Sequence, residues 1–271
     1  MKNEKLIIFI TFFIILVFAF TNGRNIFLGD FIGREHEGYF VLNKYGDVYV
    51  AGAAKHFGSL HILSDVARDI EITKNGYYIL EKYGKIFTLG DAEYYGEAEL
   101  DGNAVDLEIS DKGYYILDSE GRIHDYGFVE YYGEGSGNGY VDLELVDKGY
   151  YLLKDNGEIE EFGDILPIDK VNVKGKAVDL ELNGDDYYIM EDSGRVVING
   201  IAPSYKDLGN AAIDLEVLKN GNGYYVLDWH GNVYSYDAAV GFYSPEYSEE
   251  PIYYDMEIYL LWYGNLFILI W

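Results

Sequence analysis

Apolar and polar residues alternate along Ala104-Val-Asp-Leu-Glu-Ile-Ser110. Val105, Leu107 and Ile109 share one face, Asp106 and Glu108 the other. Three residues on, Tyr114-Tyr-Ile-Leu117 is apolar on both faces, as a strand covered on both sides must be. Asp111-Lys-Gly113 turns the chain between them. Asp118-Ser-Glu-Gly121 makes a second tight turn, whose glycine points to a backbone position with positive φ. Ile-His-Asp-Tyr after Arg122 is more polar, as an outer strand should be. The pattern predicts an acidic alternating strand, an apolar strand covered on both faces and a more polar outer strand, joined antiparallel. A short Tyr-Tyr-Gly segment follows in several units, at Tyr94-Tyr95-Gly96 and Tyr131-Tyr132-Gly133. No stretch after residue 23 has convincing helical spacing; the nearest, His56 to Arg68, reads as a loop.

The phrase repeats about every 37 residues, marked by turn glycines Gly46, Gly84, Gly121, Gly157, Gly194, Gly231 and Gly264. An acidic strand precedes six of them, carrying Asp69 and Glu71, Asp106 and Glu108, Asp142 and Glu144, Asp179 and Glu181, Asp214 and Glu216, and Asp255 and Glu257. In the first unit Asp30-Phe-Ile32 stands in its place. A small sheet covered on both faces by copies of itself is a propeller blade. The expectation is therefore an all-β, seven-bladed β-propeller over residues 24–271, with six blades as the alternative. Three units depart from the pattern: the first lacks the Glu, the fifth has Asp185-Asp186 in place of the Gly, and the seventh is short. Asn25-Ile-Phe-Leu28-Gly29-Asp30 resembles Lys85-Ile-Phe-Thr-Leu-Gly-Asp91, which reads as an outer strand. An orphan strand at one end and a stunted unit at the other predict a ring closed by pairing its N- and C-terminal strands. Residues 25–29 and the apolar tail Leu266–Trp271 are the expected partners in that seal.

The combination G-Y-Y-I/V/L-L-x-x-x-G-x-I/V, with D-I/L-E upstream and Y/F-G downstream, resembles repeats of exported bacterial β-propeller proteins, where a GYYVLD-type hairpin accompanies an acidic strand. The likeness covers nearly everything after residue 23. It implies a propeller and export, and no one activity, since propellers host enzymes, lectins and scaffolds alike.

Residues 1–23 add to this picture. Met1-Lys-Asn-Glu-Lys5 carries two lysines, and Leu6 to Phe20 is an uncharged run of about fifteen residues. That is the length of a signal-peptide apolar region and short for a membrane span. The segment is expected to be a signal peptide or, uncleaved, a membrane anchor, which places the protein outside the cell or on its surface.

Composition narrows the partners. A formal net charge of −27 repels phosphate backbones and anionic lipid headgroups, so nucleic acid is not an expected partner. A protein or glycan at the cell surface is. The chain has no cysteine, which excludes disulfides, thiolate metal sites and a cysteine nucleophile. Hydrophobic residues at 49% and aromatics at 17% give ample material for a core.

No catalytic motif emerges. His36, His56, His61, His124 and His230 have no zinc-ligand spacing, and there is no nucleophile elbow, phosphate loop or dinucleotide fingerprint. Gly135-Ser-Gly-Asn-Gly139 reads as a flexible loop, and Asp155-Asn-Gly-Glu158 as a turn rather than a calcium loop. The repeated Asp-x-Glu strands admit two readings. In one, each Asp is structural and accepts turn amides while its Glu is solvated. In the other, these are inner strands whose carboxylates crowd one channel, raise one another's pKa and recruit a cation such as calcium. Repetition in every unit favours the structural role. The segment 237–254 holds Phe242, Tyr243, Tyr247, Tyr253 and Tyr254, candidate loop aromatics for stacking on a sugar or a partner. The expected function is a non-catalytic binding or structural module for a protein or glycan. A lectin-like carbohydrate binder, a self-assembling filament subunit and a polysaccharide-degrading enzyme are the alternatives; the enzyme would need a non-repeated constellation that the sequence does not display.

Overall fold

The computed structural model describes residues 37–100, 103–201, 207–209, 211–237, 239, 241, 244 and 253–260, without the side chains of Tyr259 and Leu260. They form eighteen strands in six three-stranded antiparallel sheets. The blades are β3(Ala67–Ile72)-β4(Gly76–Glu81)-β5(Ile86–Gly90), β6(Ala104–Ser110)-β7(Gly113–Asp118)-β8(Ile123–Gly127) and β9(Tyr140–Val146)-β10(Gly149–Lys154)-β11(Ile159–Gly163). They continue with β12(Ala177–Asn183)-β13(Asp186–Glu191)-β14(Val196–Ile198) and β15(Ala212–Val217)-β16(Gly223–Asp228)-β17(Val233–Asp237). The sixth is composite: β18(Tyr253–Leu260) pairs with β1(Glu37–Asn43), which pairs with β2(Val48–Gly52). Each inner strand lies beside the inner strand of the next blade, and β15 returns to β18, so the ring is closed.

The blade count is six, not the seven that the turn glycines predict. The inner strand that pairs with β1 of the first unit is β18, from the seventh. Val41 stands opposite Met256 and Phe40 opposite Glu257. Counting hairpin turns thus counts the composite blade twice. Closure by an N-terminal and a C-terminal strand is as expected, but through β1 and β18. Residues 1–23, 25–29 and 266–271 and the turn at Gly264 lie outside the described residues. Tyr253 and Tyr254 are not loop residues: both are in β18, and Tyr253 is buried.

Why the middle strand is written Gly-Tyr-Tyr follows from packing. Every residue of β4, β7 and β16 is buried. The second aromatic of one blade meets the first of the next edge to face: Phe40 and Tyr77 at 5.6 Å, Tyr78 and Tyr114 at 5.4 Å, Tyr115 and Tyr150 at 5.5 Å, Tyr225 and Tyr39 at 5.9 Å. The glycine leaves room for the neighbouring strand. A Cβ on Gly113 would fall 1.9 Å from the carbonyl oxygen of Tyr126. The first tyrosine also explains the Tyr-Tyr-Gly segment. Tyr114 Oη accepts the amides of Tyr95 (3.1 Å) and Gly96 (2.9 Å) and donates to the Gly96 carbonyl. Tyr77 and Tyr150 each accept one amide, from Phe57 and Tyr132, and donate to the carbonyls of Gly58 and Gly133. The hydroxyl pins the connection from the preceding blade. Tyr114→Phe, which keeps the ring, should therefore cost about 1–2 kcal/mol in urea unfolding, because the connecting amides lose a buried partner. An unchanged midpoint would refute this role.

The turn between middle and outer strands rests on a buried polar residue at its start. Asp118 Oδ1 accepts the amides of Glu120 and Arg122, and Oδ2 faces Arg122 Nε at 2.8 Å and His124 Nε2 at 3.1 Å. Burial pushes the Asp118 carboxyl up, but these donors outweigh it and hold it below its ordinary range. Asp228 and Asn43 make the same two-amide turn. Gly46, Gly84, Gly121, Gly157, Gly194 and Gly231 all have positive φ there, between 74° and 90°.

Candidate functional site: an axial channel of carboxylates

The six inner strands bring all twelve predicted carboxylates to one place. Asp69, Asp106, Asp142, Asp179, Asp214 and Asp255 form one tier, with Glu71, Glu108, Glu144, Glu181, Glu216 and Glu257 in the next, around a cavity of about 60 Å³. Period two along each strand puts both members of a pair on the axial face. Among the described residues, Leu143 and Leu180 alone join them in lining it.

The Asp tier has a structural role different from the expected one. Its oxygens accept amides of the next blade's inner strand, not of turns. Leu107 N donates to Asp69 Oδ2 at 2.7 Å, Leu143 N to Asp106 at 2.8 Å, Leu180 N to Asp142 at 3.0 Å, Leu215 N to Asp179 at 2.6 Å and Ile70 N to Asp255 at 2.7 Å. Glu144 repeats the pattern one tier on, accepting Leu182 N at 2.9 Å. These side chains stitch neighbouring blades where their inner strands have no backbone ladder between them. Asp214 breaks the sequence: its Oδ2 is sealed from solvent and has no partner among the described residues.

Crowding sets the electrostatics. Burial raises every member of both tiers above the ordinary carboxylate range, and neighbouring carboxylates raise all of them further except Asp255, which amide hydrogen bonds from Ile70 and Met256 pull back. Burial lifts Asp106 to about 7 and Glu144 and Asp179 to about 8, against the amide bonds that lower them. The tiers therefore share protons near neutral pH and do not carry twelve charges. Among the described residues, no three His, Cys, Asp or Glu side chains stand at the spacing of a metal ion's ligands, so calcium finds no ready-made cage.

One end of the channel opens. Where β3, β12, β15 and β18 leave the Glu tier, a funnel of about 470 Å³ is lined by Glu181, Glu216 and Glu257 and, toward the strand ends, by Ile72, Leu182, Val217 and Ile258. The same end carries the inner-to-middle turns and the start of each connecting segment: Phe128 N bonds the Lys112 carbonyl and Asp164 N that of Lys148. Those segments expose large apolar side chains that sequence reasoning missed. Phe128 is 87% exposed, Leu166 79%, Tyr94 52% and Tyr131 49%. A signal was available. Phe128 stands where the neighbouring units have Asp91 and Asp164, and Leu166 where they have Glu93 and Glu130. Of the predicted aromatics, Tyr254 packs under Arg68 at 4.6 Å and bonds Asp65, while Phe242, Tyr243 and Tyr247 lie outside the described residues.

No family model and no curated protein matches the sequence. Solved structures do. The WD40 β-propeller domain of Doa1 is 9% identical with a TM-score of 0.56, covering 80% of each chain. The C-terminal WD40 domain of Sif2 is 16% identical with a TM-score of 0.49, covering 80% of this chain and 71% of that one. Hsv2 of Kluyveromyces lactis is 13% identical with a TM-score of 0.46, covering 77% and 72%. At this identity the Doa1 likeness is one of fold alone, and the fold is a β-propeller like those of WD40 domains.

Proposed function

We propose that the protein is an exported propeller that binds a protein partner at the cell surface and catalyses no reaction of its own. The observation that carries the reading is the row of exposed apolar side chains on equivalent connecting segments of three consecutive blades. Tyr94 follows β5, Phe128 and Tyr131 follow β8, and Leu166 follows β11. Large apolar groups grouped on one rim of an otherwise acidic surface are the mark of an interaction site. The propeller is the rigid scaffold that presents them. Export rests on the charged head and the apolar run of residues 6–20, and on the resemblance to exported bacterial propellers. Fractionation of tagged protein should recover it outside the cytoplasm; a full-length cytosolic product would contradict export.

Phe128→Ser, Tyr131→Ser and Leu166→Ser together remove the rim without touching the core. Cross-linking on intact cells should capture a partner with the natural chain and lose at least nine-tenths of it with the triple variant. Equal capture would overturn the reading. A glycan reading is favoured by one observation. Tyr94 and Tyr131 occupy the same register in successive blades, with Glu97 and Glu134 beside them. Two like sites one blade apart suit a repeating sugar, and a glycan array would separate this from a protein partner.

A further inference from the structure

The structure assigns a second element to that binding face: we propose that the axial funnel takes the side chain of a lysine or arginine projecting from a basic protein partner. The inference rests on the protein-binding reading and adds the chemistry of what enters. The funnel is two-part. Leu182, Val217 and Ile258 give an apolar collar, and Glu181, Glu216 and Glu257 a carboxylate floor. A long cationic side chain has the matching construction, a methylene stem with a charged head. At about 470 Å³ the volume accommodates one such side chain with water to spare.

Two further observations point inward from the floor. Asp214 lies two residues before Glu216 on β15, one of the four strands that line the funnel. Its Oδ2 is buried without a hydrogen-bond partner among the described residues, and Asp214 lines the carboxylate channel, which shares Glu181, Glu216 and Glu257 with the funnel. The described channel wall meanwhile contains no lysine, arginine or histidine to neutralise the tiers. Of the described residues at the funnel, Lys219 is the one that is basic, on the turn at its mouth. A chain with a net charge of −27 also draws basic partners toward it over a distance. The funnel then selects a side chain that fits, whereas surface charge selects none.

Labelled hexalysine tests this, with hexa-(Nε-acetyl-lysine) as the uncharged control, by fluorescence anisotropy at pH 8 in 150 mM salt. The natural chain should bind hexalysine and ignore the acetylated peptide. The pair Glu216→Gln and Glu257→Gln should weaken binding about tenfold, while the equally neutralising pair Glu99→Gln and Glu158→Gln, exposed and at the other end of the blades, should change it less than twofold. The funnel variant keeps its fold, because it removes like charge from a crowded site; an undiminished melting temperature verifies that. Equal weakening by both pairs would reduce the effect to general surface charge and overturn the proposal, as would no binding by the natural chain. Partner capture that survives the funnel pair but not the rim triple sinks the lysine pocket alone. Loss of neither sinks the binding face as well.

Discussion

The folded protein should grow more stable as the pH falls from 8 to 5, the reverse of a protein held together by ion pairs. The sign follows from the axial carboxyls. Each has a folded pKa above its unfolded value, so the native state binds more protons than the unfolded chain between about pH 4 and pH 8. The contribution is fully present below the unfolded value near 4. It is lost as the pH rises through the folded values, about 7 for Asp106 and about 8 for Glu144 and Asp179. A tenfold gain in proton affinity on folding is worth about 1.4 kcal/mol. Because the carboxyls titrate together and several are only half-buried, the sum over the tiers is on the order of 3–6 kcal/mol, or roughly 10–20 °C in melting temperature. Relief of the general negative charge acts in the same direction. Below pH 4 the trend should reverse, since Asp118 is held low by Arg122 and His124 and loses those bonds when protonated. Asp106→Asn, Glu144→Gln and Asp179→Asn keep an acceptor for the neighbouring blade's amide and remove the titration. Together they should stabilise the protein at pH 8 and leave it nearly unchanged at pH 4.5. A melting temperature that rises steadily from pH 5 to 8 would refute the crowded channel.

Breaking the composite blade should abolish the cooperative fold. Among the described residues, β18 alone pairs with the inner edge of β1, and it buries Tyr253 and Met256 against Tyr39, Val41, Tyr225 and Leu227. Large apolar side chains contribute about 1.5–3 kcal/mol each when buried, and a whole domain is stable by only about 5–15 kcal/mol. Met256→Asp puts a charge at a fully buried position opposite Val41. It should lower stability by at least about 4 kcal/mol, and deletion of 253–271 should leave an open edge that recruits other copies, visible as oligomers by light scattering. A permuted chain in which residue 260 is joined to residue 37 by a tight turn writes the composite blade in one piece, since Leu260 already faces Glu37. It should fold as a monomer. If the deletion stays monomeric and as stable as the parent, the ring is not closed by β18.

How far the sequence reveals this differs by element. Alternation in Ala104–Ser110 and the double apolar face of Tyr114–Leu117 are local properties, so strand order was legible, whereas the axial direction of Asp106 and Glu108 was only one of two readings that the alternation allows. Blade number was not, because the turn glycines record hairpins, whereas the closing blade is assembled from residues some 215 positions apart. Tyr253 and Tyr254 read as loop because no Gly-Tyr-Tyr strand follows them at the usual spacing. The Asp partners were misjudged for a related reason. An amide on the next blade, such as Leu107 for Asp69, is 38 residues away and becomes a neighbour only when the blades pack. The funnel is likewise a product of four strands from different units. The exposed rim, by contrast, was written in the chain as Phe128 and Leu166 at positions that other units fill with acids.

The most direct test of the convergent channel is a residue-resolved titration, by carboxyl ¹³C NMR of protein labelled at Asp and Glu, from pH 3 to 9. The account predicts two populations. One titrates near 4, as surface carboxylates do, while a set including Asp106, Glu144 and Asp179 stays protonated past pH 6 and moves with broad, mutually dependent curves. Substituting any one of these three by its amide should shift the curves of the others downward. A single population, complete by pH 5 and indifferent to those substitutions, would mean that the carboxylates do not share a channel.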